Sequence, residues 1–238
     1  MIKNYLVLGA TGNIGKSCAL SLSKKSKNIV YCIGNNFKKS NPIPNKKNII
    51  KIKFSDFNSK ILKKKISFDI IINCIGSVKN NLIKFHDDKI FNEMIKTNLS
   101  HPVNLISNLY KFNLIKNRAK IIFINSVNGT TSFRYGSMGY GVAKSAITSA
   151  VKFLAKEMAS KEITANALSF TMIYSDMVKN AKFLSSEQLK TDEKKHLLYK
   201  RFCNMTEVQK IINFFLSSNS NFITGQNIII DGGYSLNI

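Results

Sequence analysis

Leu6-Val7-Leu8-Gly9-Ala10-Thr11-Gly12-Asn13-Ile14-Gly15 joins a short apolar run to three glycines near the start of the chain. The apolar run predicts a buried strand, and the glycines predict a tight turn into a helix. Backbone N–H groups in such a turn can approach a pyrophosphate closely, and the helix N-terminus adds favourable partial charge. A glycine-rich turn also serves tight helix packing, which is the alternative. Its position after the first strand favours dinucleotide binding.

The rest of the chain alternates short apolar runs with segments of helical periodicity. Runs rich in Ile and Val suit strands that are covered on both faces. Strands are predicted at 5–8, 28–33, 48–54, 69–75, 120–126, 163–170 and 227–230, and helices at 14–26, 57–65, 88–112, 138–160 and 206–217. Pro102 should kink or interrupt the long helix. This alternation predicts an α/β fold: a Rossmann-type doubly wound parallel β-sheet flanked by helices on both faces.

The length of 238 residues and the hydrophobic content of 44% suit one core and demand no second domain. We therefore expect residues 1–238 to form a single dinucleotide-binding domain. A stretch at about 177–202 is polar, rich in Lys and weakly patterned. Loops of this kind often carry binding residues, so this stretch is predicted to be a substrate lid.

The formal net charge of +23 raises the question of a nucleic-acid partner. The lysines are distributed along the whole chain, which favours solvated surface lysines over a dedicated nucleic-acid surface. We expect no nucleic-acid partner, with such a surface as the alternative. The positive field favours anionic ligands such as dinucleotides, nucleotide sugars or an acidic carrier protein.

The cysteines and histidines are scattered, without a Cys-x-x-Cys pair: Cys18, Cys32, Cys74, Cys203, His86, His101 and His196. Free thiols in apolar surroundings indicate a reducing compartment, and we expect no metal site. No apolar run approaches the roughly 18 residues that a bilayer span requires, and no basic leader precedes the first strand. We therefore expect a cytoplasmic protein without a membrane partner.

The end of the second predicted strand bears on the choice of nicotinamide cofactor. An acidic residue there binds a free ribose 2'-hydroxyl and repels a 2'-phosphate. Gly34-Asn35-Asn36 contains no acidic residue, and Lys38 and Lys39 follow shortly. We expect NADP(H) to be favoured over NAD(H), with ordinary surface lysines as the alternative interpretation of the last two residues.

Tyr140 and Lys144 stand four apart in a segment with a helical pattern, so their side chains share one face. An ammonium group close to a phenol favours the phenolate, which would lower the phenol pKa from about 10. Tyr140 would then be a usable general acid. In so lysine-rich a chain, however, about one Tyr-x-x-x-Lys arises by chance. The spacing alone is therefore not specific.

The surrounding motifs resemble the short-chain dehydrogenase/reductase family, especially its 3-oxoacyl-[acyl-carrier-protein] reductase branch, over essentially the whole chain. They occur in the family's order: Asn73-Cys74-Ile75-Gly76, Lys96-Thr97-Asn98-Leu99, Ile124-Asn125-Ser126-Val127-Asn128-Gly129, Ile163-Thr164-Ala165-Asn166-Ala167-Leu168-Ser169, Ile173-Tyr174-Ser175-Asp176-Met177, Ile223-Thr224-Gly225-Gln226 and Asp231-Gly232-Gly233. Ser126 lies where the family keeps its catalytic serine, fourteen residues before Tyr140. Several weak motifs in one order are jointly specific.

This resemblance implies that a nicotinamide passes a hydride to a carbonyl carbon while Tyr140 donates a proton to the carbonyl oxygen. Lys144 would lower the tyrosine pKa and hold the nicotinamide ribose, and Ser126 would hydrogen-bond the substrate oxygen. Asn98 would anchor a water in the proton relay. Taken one by one, the residues have structural alternatives: a buried cap for Ser126, a helix-surface amide for Asn98 and a solvated face for Lys144.

The resemblance also implies a set of cofactor contacts: Gly9, Thr11, Gly12, Asn13, Ile14, Gly15, Asn35, Asp56, Asn73, Ile75, Gly76, Tyr140, Lys144, Ile173 and Ser175. Asp56 could equally cap the following helix. The implied substrate is a small carbonyl or alcohol, free or carried on an acidic acyl carrier protein. The family further implies a homo-oligomer, a tetramer or dimer formed through the fourth and fifth helices.

Two features depart from the family pattern. The first turn has glycines at positions 9, 12 and 15, where the family reads Gly-x-x-x-Gly-x-Gly, and Phe170-Thr171 stands where most relatives carry Pro-Gly. The favoured hypothesis is a 3-oxoacyl thioester reductase. These departures motivate two alternatives, a reductase or dehydrogenase of a sugar or other specialised metabolite, and a dinucleotide-binding scaffold without activity.

Overall fold

The computed structural model describes residues 2–37, 42–173 and 197–236. Over these residues seven strands form one sheet in the order β3-β2-β1-β4-β5-β6-β7, and every pairing is parallel. The strands are β1 (Asn4–Leu8), β2 (Ile29–Gly34), β3 (Ile49–Lys53), β4 (Phe68–Asn73), β5 (Ile115–Ser126), β6 (Thr164–Phe170) and β7 (Asn227–Ile230). Each predicted strand is present, and the predicted doubly wound sheet is confirmed.

Helices cover both faces of the sheet. In the described part of the chain they are α1 (Asn13–Leu22), α2 (Asp88–Ile95), α3 (His101–Lys111), α4 (Met138–Glu157) and α5 (Met205–Leu216). A π-helical turn at Lys96–Ser100 separates α2 from α3, and Pro102 lies in the first turn of α3. The predicted interruption of the long helix near this proline is confirmed. The helix predicted over 57–65 is shorter, a π-helical turn at Asn58–Leu62, because Lys65 turns into the left-handed region at φ 50°.

The core has two layers because successive strand residues point to opposite faces of the sheet. In β1, Leu6 and Leu8 pack with α3 and α4 on one face, whereas Val7 packs with α1 and α5 on the other. Burying each of these side chains completely contributes about 2 kcal/mol.

The strand order reverses beside β1, which has β2 on one side and β4 on the other. A crevice forms at such a switch point, outside the carboxyl ends of the strands. The loops that follow β1, β4 and β5 meet there. In the ranges that the structure covers, no helix is both long and apolar enough to span a bilayer.

The loop after β5 packs directly on the start of α4. Gly129 has a φ of 93°, and a Cβ atom at this residue would overlap the carbonyl oxygen of Gly141. Only glycine fits here without moving the helix. This contact fixes the distance between the end of β5 and the first turns of α4.

We expect Gly129→Ala to destabilise the protein more than Gly225→Ala. Gly225 also has a positive φ, 70°, but its Cβ would meet only ordinary contacts, the nearest 3.5 Å away at Ala155. Backbone strain alone costs about 1–2 kcal/mol at either site. The overlap with Gly141 should raise the loss at Gly129 by a further ~2 kcal/mol. Urea denaturation of both variants measures this difference, and equal losses would contradict the packing argument.

Candidate active site

The glycine-rich turn forms a cradle at the end of β1. Gly9 has a φ of 73°, and a Cβ there would lie 2.7 Å from the Cys74 carbonyl, so only glycine lets β1 turn this close to β4. A Cβ at Gly12 would have only the Gly9 oxygen near it, at 3.6 Å, so the space above the turn is open. Gly12 lies at the start of α1, whose N-terminus offers backbone N–H groups and a positive dipole end. The predicted residues Asn13, Ile14 and Gly15 form this first turn.

Thr11 and Asn35 lie at neighbouring strand ends. The Thr11 side chain rests against Gly34, where a Cβ would come within 2.6 Å of Thr11 Cγ2. Asn35 follows directly and is exposed. Lys38 and Lys39, which supported the cofactor prediction, lie outside the described residues. The side chain that follows β2 at this point is therefore the neutral amide of Asn35 and not an acidic group.

Asp56 lies three residues after β3. Its carboxylate forms an ion pair with Lys60 at 3.0 Å and accepts a hydrogen bond from Ser55 at 3.1 Å. The hydrogen bond with Lys60 and that with Ser55 hold the pKa of the carboxyl below its usual range. The N-cap of the following helical turn is Phe57, without a side-chain cap bond, so the helix-cap alternative for Asp56 is wrong.

Asn73 ends β4 and is fully buried. Its Oδ1 accepts a hydrogen bond from the Ile75 N–H at 3.2 Å. Its Nδ2 has no hydrogen-bond partner among the residues that the structure describes. Leaving a buried donor unpaired costs about 1–3 kcal/mol, so the arrangement favours a ligand acceptor at this point. The orphaned amide and the open turn fit a bound dinucleotide.

Asn98 belongs to the π-helical turn and is fully buried. Its Nδ2 donates to the carbonyl oxygens of Met94 (2.9 Å) and Ser77 (3.0 Å), and its Oδ1 accepts from the Ser77 N–H (3.1 Å). The helix-surface alternative is therefore wrong. A Cβ at Gly76 would lie 3.3 Å from Asn98 Oδ1 and 3.6 Å from Lys144 Nζ, so these three residues adjoin one another.

Lys144 is 3% exposed, so the solvated-face alternative is also wrong. Its Nζ donates to the Ile124 carbonyl oxygen at 3.0 Å. Burial lowers the pKa of the ammonium to about 8, with the nearby Cys74 thiol acting in the opposite direction. At neutral pH most of the protein therefore carries a charged ammonium inside the crevice.

Ser126 and Tyr140 are brought together from the end of β5 and the first turn of α4. The Ser126 side chain lies close enough to Tyr140 to lower the pKa of its phenol, and Ser126 Oγ accepts a hydrogen bond from the Asn128 N–H at 3.1 Å. Lys144 Nζ lies over the Tyr140 ring, 5.6 Å from its centroid. The pair and its ammonium thus face one point of the crevice.

The pKa of Tyr140 is raised, because burial disfavours the phenolate more than the Ser126 hydrogen bond and the Arg134 charge favour it. The sequence prediction of a lowered pKa is wrong in direction. The ammonium is directed to the Ile124 carbonyl instead of the phenol oxygen. Tyr140 is consequently a neutral acid at physiological pH.

The remaining predicted site residues are Ile173, Ser175 and those of the lid. Ile173 is buried and forms an isolated bridge with Cys203. Ser175 lies outside the described residues, as does most of the predicted lid. The roles of Ser175 and of residues 177–202 stay predictions.

Sequence reasoning missed two neighbours of the cluster. Arg134 acts on Tyr140 through its charge, and the Cys18 thiol acts on the Cys74 thiol. The Cys18 thiol and burial together raise the pKa of Cys74 well above its usual range. Neither contact has a spacing that the sequence would reveal. Within the described ranges, no group of three or more His, Cys, Asp or Glu residues is arranged to hold a metal ion.

Comparisons with known proteins agree with this geometry. The family described as enoyl-(acyl carrier protein) reductase matches residues 53–235. The chain is 30% identical to the 3-oxoacyl-[acyl-carrier-protein] reductase FabG of Buchnera aphidicola subsp. Acyrthosiphon pisum (strain APS), over 95% of each chain. It is 28% identical to the enzyme of that name from Staphylococcus epidermidis (strain ATCC 35984), over 98% of this chain and 99% of the relative.

A solved structure of a short chain dehydrogenase family protein from Francisella tularensis subsp. tularensis SCHU S4 superposes with a TM-score of 0.87. It is 26% identical and covers 99% of this chain and 100% of its own. The sheet, the cluster at its carboxyl edge and these similarities all point to one family. The chain belongs to the short-chain dehydrogenase/reductase family of oxidoreductases, which bind a nicotinamide dinucleotide.

Proposed function

We propose that the protein reduces the ketone of a 3-oxoacyl thioester, with NADPH as the cofactor. The observation that carries this proposal is the placement of Ser126 and Tyr140 next to each other, beside the buried ammonium of Lys144. The pair stands at the carboxyl edge of the sheet, next to the orphaned amide of Asn73. This arrangement supplies a proton and a positive charge at one place.

When bound, the reduced nicotinamide supplies a hydride to the carbonyl carbon. Tyr140 donates its phenol proton to the carbonyl oxygen, a role that its raised pKa favours because the phenol stays protonated. Ser126 orients that oxygen by hydrogen bonding. Lys144 stabilises the phenolate that the proton transfer leaves behind. We further propose that Lys144 holds the nicotinamide ribose. Asn98 would keep the loop after Gly76 in place beside Lys144.

The proposed cofactor preference rests on the end of β2. Asn35 is exposed and neutral, so it does not repel a 2'-phosphate. Asp56, one strand away, is held in its ion pair with Lys60. The formal net charge of +23 adds a general attraction for the extra phosphate. These features support NADP(H) over NAD(H).

The proposed substrate class rests on the names of the relatives and on charge. Both curated relatives described above are named as 3-oxoacyl-[acyl-carrier-protein] reductases. A strongly basic surface suits an acidic acyl carrier protein as the bearer of the thioester. We also propose that the protein is cytoplasmic and that it forms a homo-oligomer. The second proposal is supported by α4, which exposes Val142 and Phe153 along its outer face.

Tyr140→Phe should lower kcat for NADPH oxidation with an acetoacetyl thioester by about 10²–10⁴-fold, because it removes the proton donor. NADPH binding, followed by quenching of its fluorescence or by calorimetry, should stay close to that of the unaltered protein. Tyr110→Phe is the matched control, since its hydroxyl bonds the Glu157 carbonyl on an exposed helix. Turnover of a keto sugar without turnover of the thioester would overturn the substrate class, and an undiminished rate in Tyr140→Phe would overturn the assigned acid.

The kcat/KM for NADPH should fall as the pH rises through about 8, the pKa of Lys144. Above that pH the amine becomes neutral and no longer stabilises the phenolate, while the raised pKa of Tyr140 keeps the acid protonated. Rates measured between about pH 6 and 10 would show this alkaline limb. Lys144→Arg cannot lose its charge in this range, so its residual activity should lack the limb. A flat profile in the unaltered protein would contradict the role of Lys144.

Asn35→Asp should raise the KM for NADPH about tenfold and leave the KM for NADH unchanged or lower, since a carboxylate repels the 2'-phosphate and binds a free 2'-hydroxyl. Asn221→Asp makes the same charge change at an exposed residue in the loop leading to β7. Steady-state rates with both cofactors measure the ratio. If both variants shift it equally, the preference comes from overall charge and not from this position.

A further inference from the structure

The loop between β5 and α4 contains a buried polar network beside the reacting groups. Asn128 and Ser137 are 6% and 4% exposed. The backbone N–H of Asn128 donates to Ser126 Oγ at 3.1 Å, and its side-chain Nδ2 donates to Ser137 Oγ at 2.7 Å. One residue is therefore bonded both to the catalytic serine and to the residue that precedes α4.

The backbone of Arg134 also belongs to this network. Ser137 Oγ donates to the Arg134 carbonyl oxygen at 2.7 Å, and the Arg134 N–H points at Asn128 Oδ1 at 3.5 Å. The short bonds dominate, since hydrogen bonds weaken beyond about 3.2 Å. Together they hold the Arg134 backbone, and hence the position from which its charge acts on Tyr140.

The same network reaches the first turn of α4. The Gly141 N–H donates to the Ser137 carbonyl oxygen at 2.8 Å. A Cβ at Gly141 would lie 3.3 Å from Asn128 Oδ1, so the amide packs closely against this turn. Tyr140 lies on that turn, whereas Ser126 lies at the strand end to which Asn128 belongs.

We propose that Asn128 is a positioning residue whose side-chain amide braces the end of β5 against the first turn of α4 and so keeps Ser126 and Tyr140 next to each other. The inference deepens the proposed function and rests on it. The effect is on geometry: a displacement of about 1 Å at a reacting group can cost on the order of 10²-fold in rate. The backbone bond to Ser126 survives truncation of Asn128, so the side chain can be tested separately.

Asn166 is a matched control for Asn128. It is 1% exposed and also bridges two segments through its amide, donating to the Ile223 carbonyl at 2.7 Å and accepting from the Gln226 N–H at 3.0 Å. It lies in β6, away from the reacting groups. Truncating either residue removes a buried amide and leaves partners unpaired, so the stability losses should be similar.

The first test requires no turnover. Proteins labelled with ¹³C at the tyrosine Cζ are titrated by NMR, with the Tyr140 resonance assigned by its absence in Tyr140→Phe. In Asn128→Ala the Tyr140 pKa should shift upward, since the Ser126 hydrogen bond and the Arg134 charge that oppose burial are both weakened. Asn166→Ala should leave that pKa unchanged. No shift in Asn128→Ala, or an equal shift in both variants, overturns the proposal.

Ser137→Ala removes one hydroxyl and serves where Asn128→Ala fails to fold. It should also shift the Tyr140 pKa upward, and the absence of a shift overturns the proposal. In turnover of any carbonyl that the protein reduces, each of the two variants should lower kcat about tenfold or more with an unchanged KM for the cofactor. Their double variant should lose no more than either alone, whereas losses that multiply overturn the brace. A protein that passes the titration but does not reduce thioesters contradicts only the proposed substrate.

Discussion

The ammonium of Lys144 is held almost out of contact with water, 3% exposed, with the Ile124 carbonyl oxygen 3.0 Å from its Nζ. Burying a charged amine is unfavourable, which is why its pKa falls to about 8 from 10.5. That shift corresponds to about 3 kcal/mol between the two protonation states. The penalty on the folded state is complete below the folded pKa and fades as the pH rises toward the unfolded value. Lys144 therefore destabilises the fold at neutral pH, and it does so in the crevice where the proposed reaction needs a positive charge.

Three elements must meet for this ammonium to act, and the parallel sheet brings them together. β5 ends at Ser126, α4 carries Tyr140 and Lys144 on successive turns, and β4 leads to Gly76. Because parallel strands all end at one edge, residues from distant parts of the sequence converge there without long loops. The π-helical turn holding Asn98 adds a buried amide to the same edge, as such turns often do at functional sites. The chemistry thus follows from topology more than from any one motif.

The sequence was sufficient to predict the strands and helices and their order along the chain, because apolar periodicity reflects burial directly. The sequence also predicted which residues come together at the site, but it did not predict the direction in which the pKa of Tyr140 is shifted. The pKa of Tyr140 depends on how deeply α4 packs and on where Lys144 Nζ points, and both are properties of the folded chain. Arg134 escaped notice for the same reason, since its charge reaches Tyr140 across a turn and not along a helix face. The structural alternatives for Asn98 and Lys144 were wrong because they assumed that both side chains lie on exposed helix surfaces, whereas both are buried.

The departure at Phe170-Thr171 leaves the reacting groups undisturbed. Phe170 ends β6 with its side chain buried, and its carbonyl oxygen accepts from the Val127 N–H at 3.1 Å, directly after Ser126. The Thr171 N–H points at the Ile230 carbonyl oxygen at 3.4 Å, so contact with the last strand continues past the strand end. A proline at position 170 would keep its carbonyl oxygen, so the contact with Val127 does not depend on which side chain stands there. Phe170 and Thr171 therefore keep the end of β6 in contact with β5 and β7, and they leave in place the serine, tyrosine and lysine that the proposed reaction requires.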